Sequence, residues 1–288
     1  MEMEDNVLDY KSMTLKELLS MAKVSYIGSC TQSTKLVYSK NHNYLTYGIY
    51  LMPADGASFF NEDGQKVTLN VCPNHKFCKA FCLAGSGQNK IKTIHSNGEK
   101  TYIDEARIRK TRLFYFNPNL FMEIVVREIR RYEAYAKNNG FNFAIRLNCT
   151  SDLSPEKFMY DGMNILQLFP HIQFYDYTKV ANRLPLQFKY KNYDLTLSYN
   201  GYNWQTCKNY LNKGGKVAVV FRKELPAVFD GFNVIDANGY DMRFLDPHST
   251  IMGLHYHSIG SDYKNGSYKV RKTKFVVENG DDRCLYLE

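Results

Sequence analysis

At 288 residues the chain is longer than an average single domain and suits one α/β barrel. An apolar share of 44% with 15% aromatics can build a sizeable core, which excludes an intrinsically disordered chain. The net charge of +8, from 37 Lys and Arg against 29 Asp and Glu, is mixed along the sequence, which excludes a basic nucleic-acid-binding tail and leaves nucleic acid an open, weakly supported partner.

No apolar run reaches the roughly 18 residues that span a bilayer. The opening Met1-Glu-Met-Glu-Asp-Asn is acidic where a signal peptide is basic and then apolar. The expectation is a soluble protein of a reducing cytosol with no membrane partner. There the odd number of seven cysteines favours thiols or metal ligands over a disulfide framework.

Leu15 to Ala22 reads as an accessory helix, capped by Thr14 with Glu17 at the capping-box position. A β-hairpin region follows: a strand from Tyr44 to Met52 and another from Lys66 to Val71, separated by turn signals at Asp55-Gly and Asp63-Gly. Directly after the second strand comes Cys72-Pro-Asn-His-Lys-Phe-Cys78-Lys-Ala-Phe-Cys82. A helical region from Ile103 to Lys137 breaks at Asn117-Pro118, where asparagine caps and proline opens a new helix, and it ends at Gly140.

From there strands and helices alternate. The strands are Phe143 to Asn148, Ile172 to Asp176, Asp194 to Ser198, Lys216 to Phe221, Asn233 to Asp236 and Ile251 to His255. Helices are expected after Ser154-Pro-Glu and from Trp204 to Asn212, with a short helical turn near Thr178 to Leu184 stopped by Pro185. Lys216 to Phe221 is the most continuous apolar run and suits a strand buried on both faces. Repeated βα units predict a full or partial TIM-like (β/α) barrel of parallel strands in preference to an open doubly wound sheet. The expected division is an N-terminal accessory segment at 1–43, a barrel domain at 44–260 and a C-terminal extension at 261–288.

Three thiolates at the spacing C-x5-C-x3-C suit a soft or borderline metal centre with one coordination position left over. Cys72, Cys78 and Cys82 are therefore the candidate ligands of a 4Fe-4S cluster with one open iron. The alternative is a zinc site completed by His75, His95 or a distant cysteine. Cys30, Cys149, Cys207 and Cys284 read as ordinary half-buried thiols.

Around a barrel mouth the strand ends would bring Asn148, Thr150, Ser151 and Asp152, then Asp176, Tyr177 and Lys179, then Ser198 and Asn200, and later Arg222, Asp236 and His255. Asn148, Thr150, Ser198 and Asn200 are the candidate binders of a small polar ligand, and Asp152, Asp176 and Lys179 the candidate catalytic groups. His255 and His257 share a strand face, as in a barrel metallohydrolase that would add Asp176 and Asp236. Arg107, Arg109, Lys110 and Arg112, with Arg127, Arg130 and Arg131 downstream, read as a solvated helix face or as phosphate contacts of a non-catalytic nucleic-acid- or protein-binding module.

A cysteine triad on the loop after the first strand of a parallel barrel resembles the radical S-adenosylmethionine superfamily. Its usual spacing is C-x3-C-x2-C, shorter at both intervals, and no Gly-Gly-Glu-like stretch follows here. That resemblance implies S-adenosylmethionine as a ligand of the open iron. A closer resemblance covers about residues 66 to 255. Ala106-Arg-Ile-Arg-Lys-Thr-Arg112, Arg146-Leu-Asn-Cys-Thr-Ser-Asp-Leu153, the segment Phe169 to Arg183, Val217-Ala-Val-Val-Phe221 and Arg243-Phe-Leu-Asp-Pro247 resemble phage-encoded proteins called gene product 88. The implication is a viral protein of unassigned activity, at work in the host cytoplasm or carried in a particle.

Overall fold

The computed structural model describes residues 9–31, 36–37, 39–75, 102–256 and 274–286. Its strands are β1 (Gly28–Ser29), β2 (Tyr44–Ile49), β3 (Phe59–Phe60), β4 (Lys66–Val67), β5 (Asn142–Arg146), β6 (Met159–Tyr160), β7 (Met163–Asn164), β8 (Gln173–Thr178), β9 (Tyr193–Ser198), β10 (Lys216–Phe221), β11 (Val228–Phe229), β12 (Phe232–Asp236), β13 (Ile251–His255), β14 (Val276–Val277) and β15 (Cys284–Leu285). The helices are α1 (Leu15–Met21), α2 (Tyr102–Phe116), α3 (Pro118–Asn138), α4 (Ile165–Leu168), α5 (Pro185–Lys189) and α6 (Trp204–Asn212).

One large, mostly parallel sheet runs β1-β2-β5-β8-β9-β10-β13-β12-β11-β15. From β2 to β10 the five parallel strands lie side by side in chain order, so the middle of the sheet lacks the order reversal of a doubly wound fold. Antiparallel β1 and β11 flank the parallel part. Among the described residues no pairing joins the two ends of the path, so the fold is an α/β sheet that is not seen to close into a full barrel.

Alternation along each strand sorts the side chains onto two faces. Leu45, Tyr47, Ile145, Phe174, Leu195, Leu197, Val217 and Val219 face the helices and form one core with Leu18 of α1, Phe121 and Ile124 of α3, Leu186 of α5 and Leu211 of α6. Each such fully buried side chain contributes about 1.5–3 kcal/mol. The other face carries Ala144, Tyr175 and Tyr177, then Ala218, Met252 and Leu254, and is covered by the connection that brings Tyr240, Met242 and Phe244. The sheet is thus covered on both faces, by helices on one and by this connection on the other.

Local chemistry explains the element ends. Thr14 and Glu17 form a complete capping box on α1. Asn117 accepts from the Leu120 N–H and Pro118 opens α3. Gly140 takes φ +73° where the chain leaves α3. Gly28 has a different cause: a Cβ there would sit 2.2 Å from Tyr47 Cζ, so β1 can approach β2 only without one.

Three expectations are corrected. The strand from Lys66 to Val71 is only β4, paired with β3 in a separate hairpin, because Asn70 Oδ1 turns back to accept from the Cys72 N–H. After Ser154-Pro-Glu there is a 3-10 turn, Pro155–Lys157, then the β6-β7 hairpin and α4, which Asn164 and Gln167 cap. The short helical turn before Pro185 is the 3-10 turn Ala181–Arg183, and Pro185, expected only to stop it, also opens a helix, α5, at N1.

The chain ends join this frame. β14 pairs with β10 at Val220 and Phe221, past the point where β9 has left β10, and β15 pairs with β11. Among the described residues no helix is long and apolar enough to cross a membrane.

Candidate metal centre

Cys72 lies at the carboxyl ends of β5 and β8, held from both sides. The Asp152 N–H donates to Val71 O at 2.8 Å, and Asn74 Nδ2 donates to Lys179 O at 2.7 Å. Thr150 Oγ1 ties the same edge to Leu51 O at 2.6 Å. Cys72 Sγ receives the Ala54 N–H at 3.4 Å and points its own hydrogen at Thr150 O, 3.7 Å away. The cysteine thus stands at the functional edge of a parallel sheet, although hairpin β3-β4 rather than a sheet strand leads into it. Cys78, Cys82, His95 and the glycine-rich 84–87 lie outside the described residues, as does His257.

His75 closes a tight turn on Cys72: its N–H donates to Cys72 O at 3.0 Å, and its ring Nδ1 lies 3.0 Å from the same oxygen. Asn70 Nδ2, a donor only, lies 3.4 Å from the same Nδ1, so the ring nitrogen sits between an acceptor and a donor.

The expected ring of ligand-facing groups is largely a satisfied network. Asp176, 1% exposed, accepts from Asn148 N and Nδ2 at 2.8 Å each and from the Tyr193 hydroxyl at 3.1 Å, with Arg183 at 3.5 Å. Burial raises its pKa, against the pull of Arg183 and Asn148. Asp152 accepts from Thr178 Oγ1 at 2.7 Å, from Lys179 N at 2.8 Å and from the Arg183 guanidinium. Asn148 Oδ1 receives Ser151 Oγ and Leu153 N. These groups brace the edge on which Cys72 rests.

Asn200 caps the turn into α6 through the N–H groups of Tyr202 and Asn203, and Ser198 gives its carbonyl to Asn203. Arg222 pairs with Glu278, Asp236 with Asn238, and His255 Nδ1 with Lys223 O. Asp176 and Asp236 lie on strands four places apart in the sheet, roughly 19 Å at the usual strand spacing. Among the described residues no group of three His, Cys, Asp or Glu side chains is placed to hold a metal, so the metallohydrolase set is not brought together. Burial pushes the thiols of Cys30, Cys149 and Cys207 up to about 12, which marks them as packing residues.

The arginine-rich helix differs from a solvated face. Arg107 and Lys110 are buried on the inner side of α2, where Thr111 Oγ1 accepts from Met52 N at 2.8 Å and the Tyr115 hydroxyl donates to Asn70 O at 2.7 Å. Arg127 gives its guanidinium to the carbonyls of Tyr10, Lys11 and Met13. A polar inner face on α2 hides the usual apolar stripe. Its one sequence signal is that 107, 111 and 115 share a helix face.

Lys110 Nζ lies 3.9 Å from the centre of the Tyr26 ring, and burial lowers its pKa to about 7, opposed by Glu128 and reinforced by Arg107. Between that value and the unfolded value of 10.5 the unfolded chain binds more protons, so this lysine makes stability rise with pH across the window. Lys110→Met should flatten that slope and add about 1 kcal/mol at pH 7, read as the difference between urea unfolding curves of variant and parent at pH 7 and 10.

On the face opposite the helices Arg146 pairs with Asp241 at 2.5 Å, Lys216 with Asp194 at 2.7 Å, and Arg243 with Asp246 at 3.1 Å. Among the described residues Arg146 Nε, Asp194 Oδ1 and Thr196 Oγ1 are buried there without a hydrogen-bond partner. Such atoms call for water or a ligand.

A family model described as "Gene product 88" matches residues 24–278, most of the chain. No curated protein and no solved structure matches it.

Proposed function

The chain belongs to the Gene product 88 family, and we propose that it works there as an iron-sulfur protein, its 4Fe-4S cluster held by Cys72, Cys78 and Cys82 at the carboxyl edge of a partial (β/α) barrel. The observation that carries this reading is the seat of Cys72: two hydrogen bonds pin its loop over β5 and β8, and the Ala54 N–H meets its sulfur at 3.4 Å. Hydrogen bonds to cluster sulfurs set potential, and a half-buried seat limits water. The donor set fits: three thiolates within eleven residues leave one iron open. Such a cluster supplies electron transfer or a site for a small polar ligand, with S-adenosylmethionine the leading candidate.

The protein's own residues would then do the rest. Asp152, Asp176 and Arg183 fix the edge. Arg146, Tyr177 and Ser198 lie on the sheet face opposite the helices, where Arg146 Nε and Thr196 Oγ1 offer unfilled hydrogen-bonding capacity. As a phage-family protein it would act inside the infected host cell. His75, whose backbone turns back onto Cys72, favours one second reading, a structural Cys3His zinc site that braces a binding module.

EPR of the anaerobically reconstituted, reduced protein tests the first reading. A cluster signal perturbed by added S-adenosylmethionine is expected. A colourless protein with one zinc per chain would overturn it, and a signal unmoved by S-adenosylmethionine would remove the radical assignment.

A further inference from the structure

We infer that the outward face of α2 binds single-stranded nucleic acid. Tyr102, Glu105, Arg109, Arg112 and Phe116 recur at intervals of three and four and so form one stripe along the helix. Tyr102 is 71% and Phe116 60% exposed. The two rings stand about 21 Å apart along the helix axis. Charged side chains lie between them, so they do not merge into one apolar patch of the kind that docks a protein core.

Each ring is presented singly, with cations between, which is the arrangement that stacks bases and meets the phosphates that join them. Arg112 is fixed in place: Nε donates to Ala57 O at 3.4 Å and its guanidinium lies 4.5 Å from the Phe59 ring centre, while Phe59 in turn meets Phe116 edge-on at 6.1 Å. The stripe's single carboxylate, Glu105, is offset by Arg109 at 3.8 Å. A net charge of +8 on the whole chain adds a long-range attraction for polyanions.

The position gives the surface a use. On its inner side the same helix holds the segment that leads into Cys72, through Tyr115 to Asn70 O and Thr111 to Met52 N. A strand lying along α2 would pass beside the candidate centre, although the binding itself does not depend on what metal that centre holds. The face readable as nucleic-acid-contacting is thus Arg109 and Arg112 with two aromatic rings, not the buried Arg107 and Lys110.

Fluorescence anisotropy of the full chain with labelled 20-nucleotide oligo(dT) and oligo(U), across a salt series, tests this. The parent should bind with a negative salt slope, and more tightly than it binds a duplex of the same length. Tyr102→Ala/Phe116→Ala should weaken binding at least tenfold with its melting temperature kept. Arg109→Gln/Arg112→Gln should reduce the slope of log K against log salt by about 1.4, two phosphates' worth. Absence of oligonucleotide binding, binding unaffected by both double variants, or a concentration-dependent dimer that Tyr102→Ala/Phe116→Ala abolishes would each overturn the proposal, the last by making the stripe a protein interface.

Discussion

Arg183→Met should cost about 3–5 kcal/mol of stability, the range for removing one partner from a buried charged network. Arg183 is 3% exposed and stands between two carboxylates, Asp152 and Asp176, with its second amino group on the Tyr193 hydroxyl. Methionine keeps most of the packed stem and removes the charge, so the loss is electrostatic rather than a cavity. For a chain of this length that is a fall in Tm of roughly 10 °C.

The pH dependence distinguishes this cause from bad packing. Burial already raises the Asp176 pKa, and Arg183 is the largest influence holding it down. With Arg183 gone the folded-state value rises further above the unfolded one. A raised carboxyl contributes stability at low pH that is lost as pH rises through the folded value, so the deficit of the variant should shrink as the solution is acidified. A deficit constant with pH would point to packing instead. The same variant should loosen the Cys72 loop, since Asp152 carries Arg183 on its carboxylate and Val71 O on its N–H.

Much of this frame was legible in the sequence where local chemistry and periodicity agree. Asn117-Pro118 announced the break between α2 and α3, and the run Lys216 to Phe221 announced β10, because a cap or an uninterrupted apolar strand needs no knowledge of its neighbours. Pro185 was ambiguous, since the ring that ends one helix is equally fit to begin another. Val71 looked like strand, yet its carbonyl is taken by Asp152 from a loop 81 positions on in the sequence. Closure of the sheet was beyond reach, as βα repetition sets neighbours but not the pairing of the end strands.

The candidate site divides in the same way. The three cysteines stand out by density alone, and Cys72 lies beside the ends of β5 and β8 rather than at the end of a strand of the sheet. The polar residues after each strand were visible as residues, but Asp152, Asp176 and Asn148 prove to be committed to one another, and a sequence does not show which carboxylate already has its partners. Arg107 and Lys110 misled for the opposite reason. Charged residues normally mark a solvated face, and here a helix turns its cations inward onto Tyr50 and Tyr26.

The largest effect of all is expected at Cys72, whose sulfur is the one placed ligand of the proposed cluster. A serine there keeps the size of the side chain and its contact with the Ala54 N–H but removes the soft donor, leaving two thiolates for a group that needs three. The direct measurement is an iron and acid-labile sulfide count on protein purified and reconstituted without oxygen, parent beside Cys72→Ser. About four iron and four sulfide per parent chain, falling to a small fraction in the variant, is the predicted result. Zinc without sulfide in the parent, or equal iron in parent and variant, would contradict it.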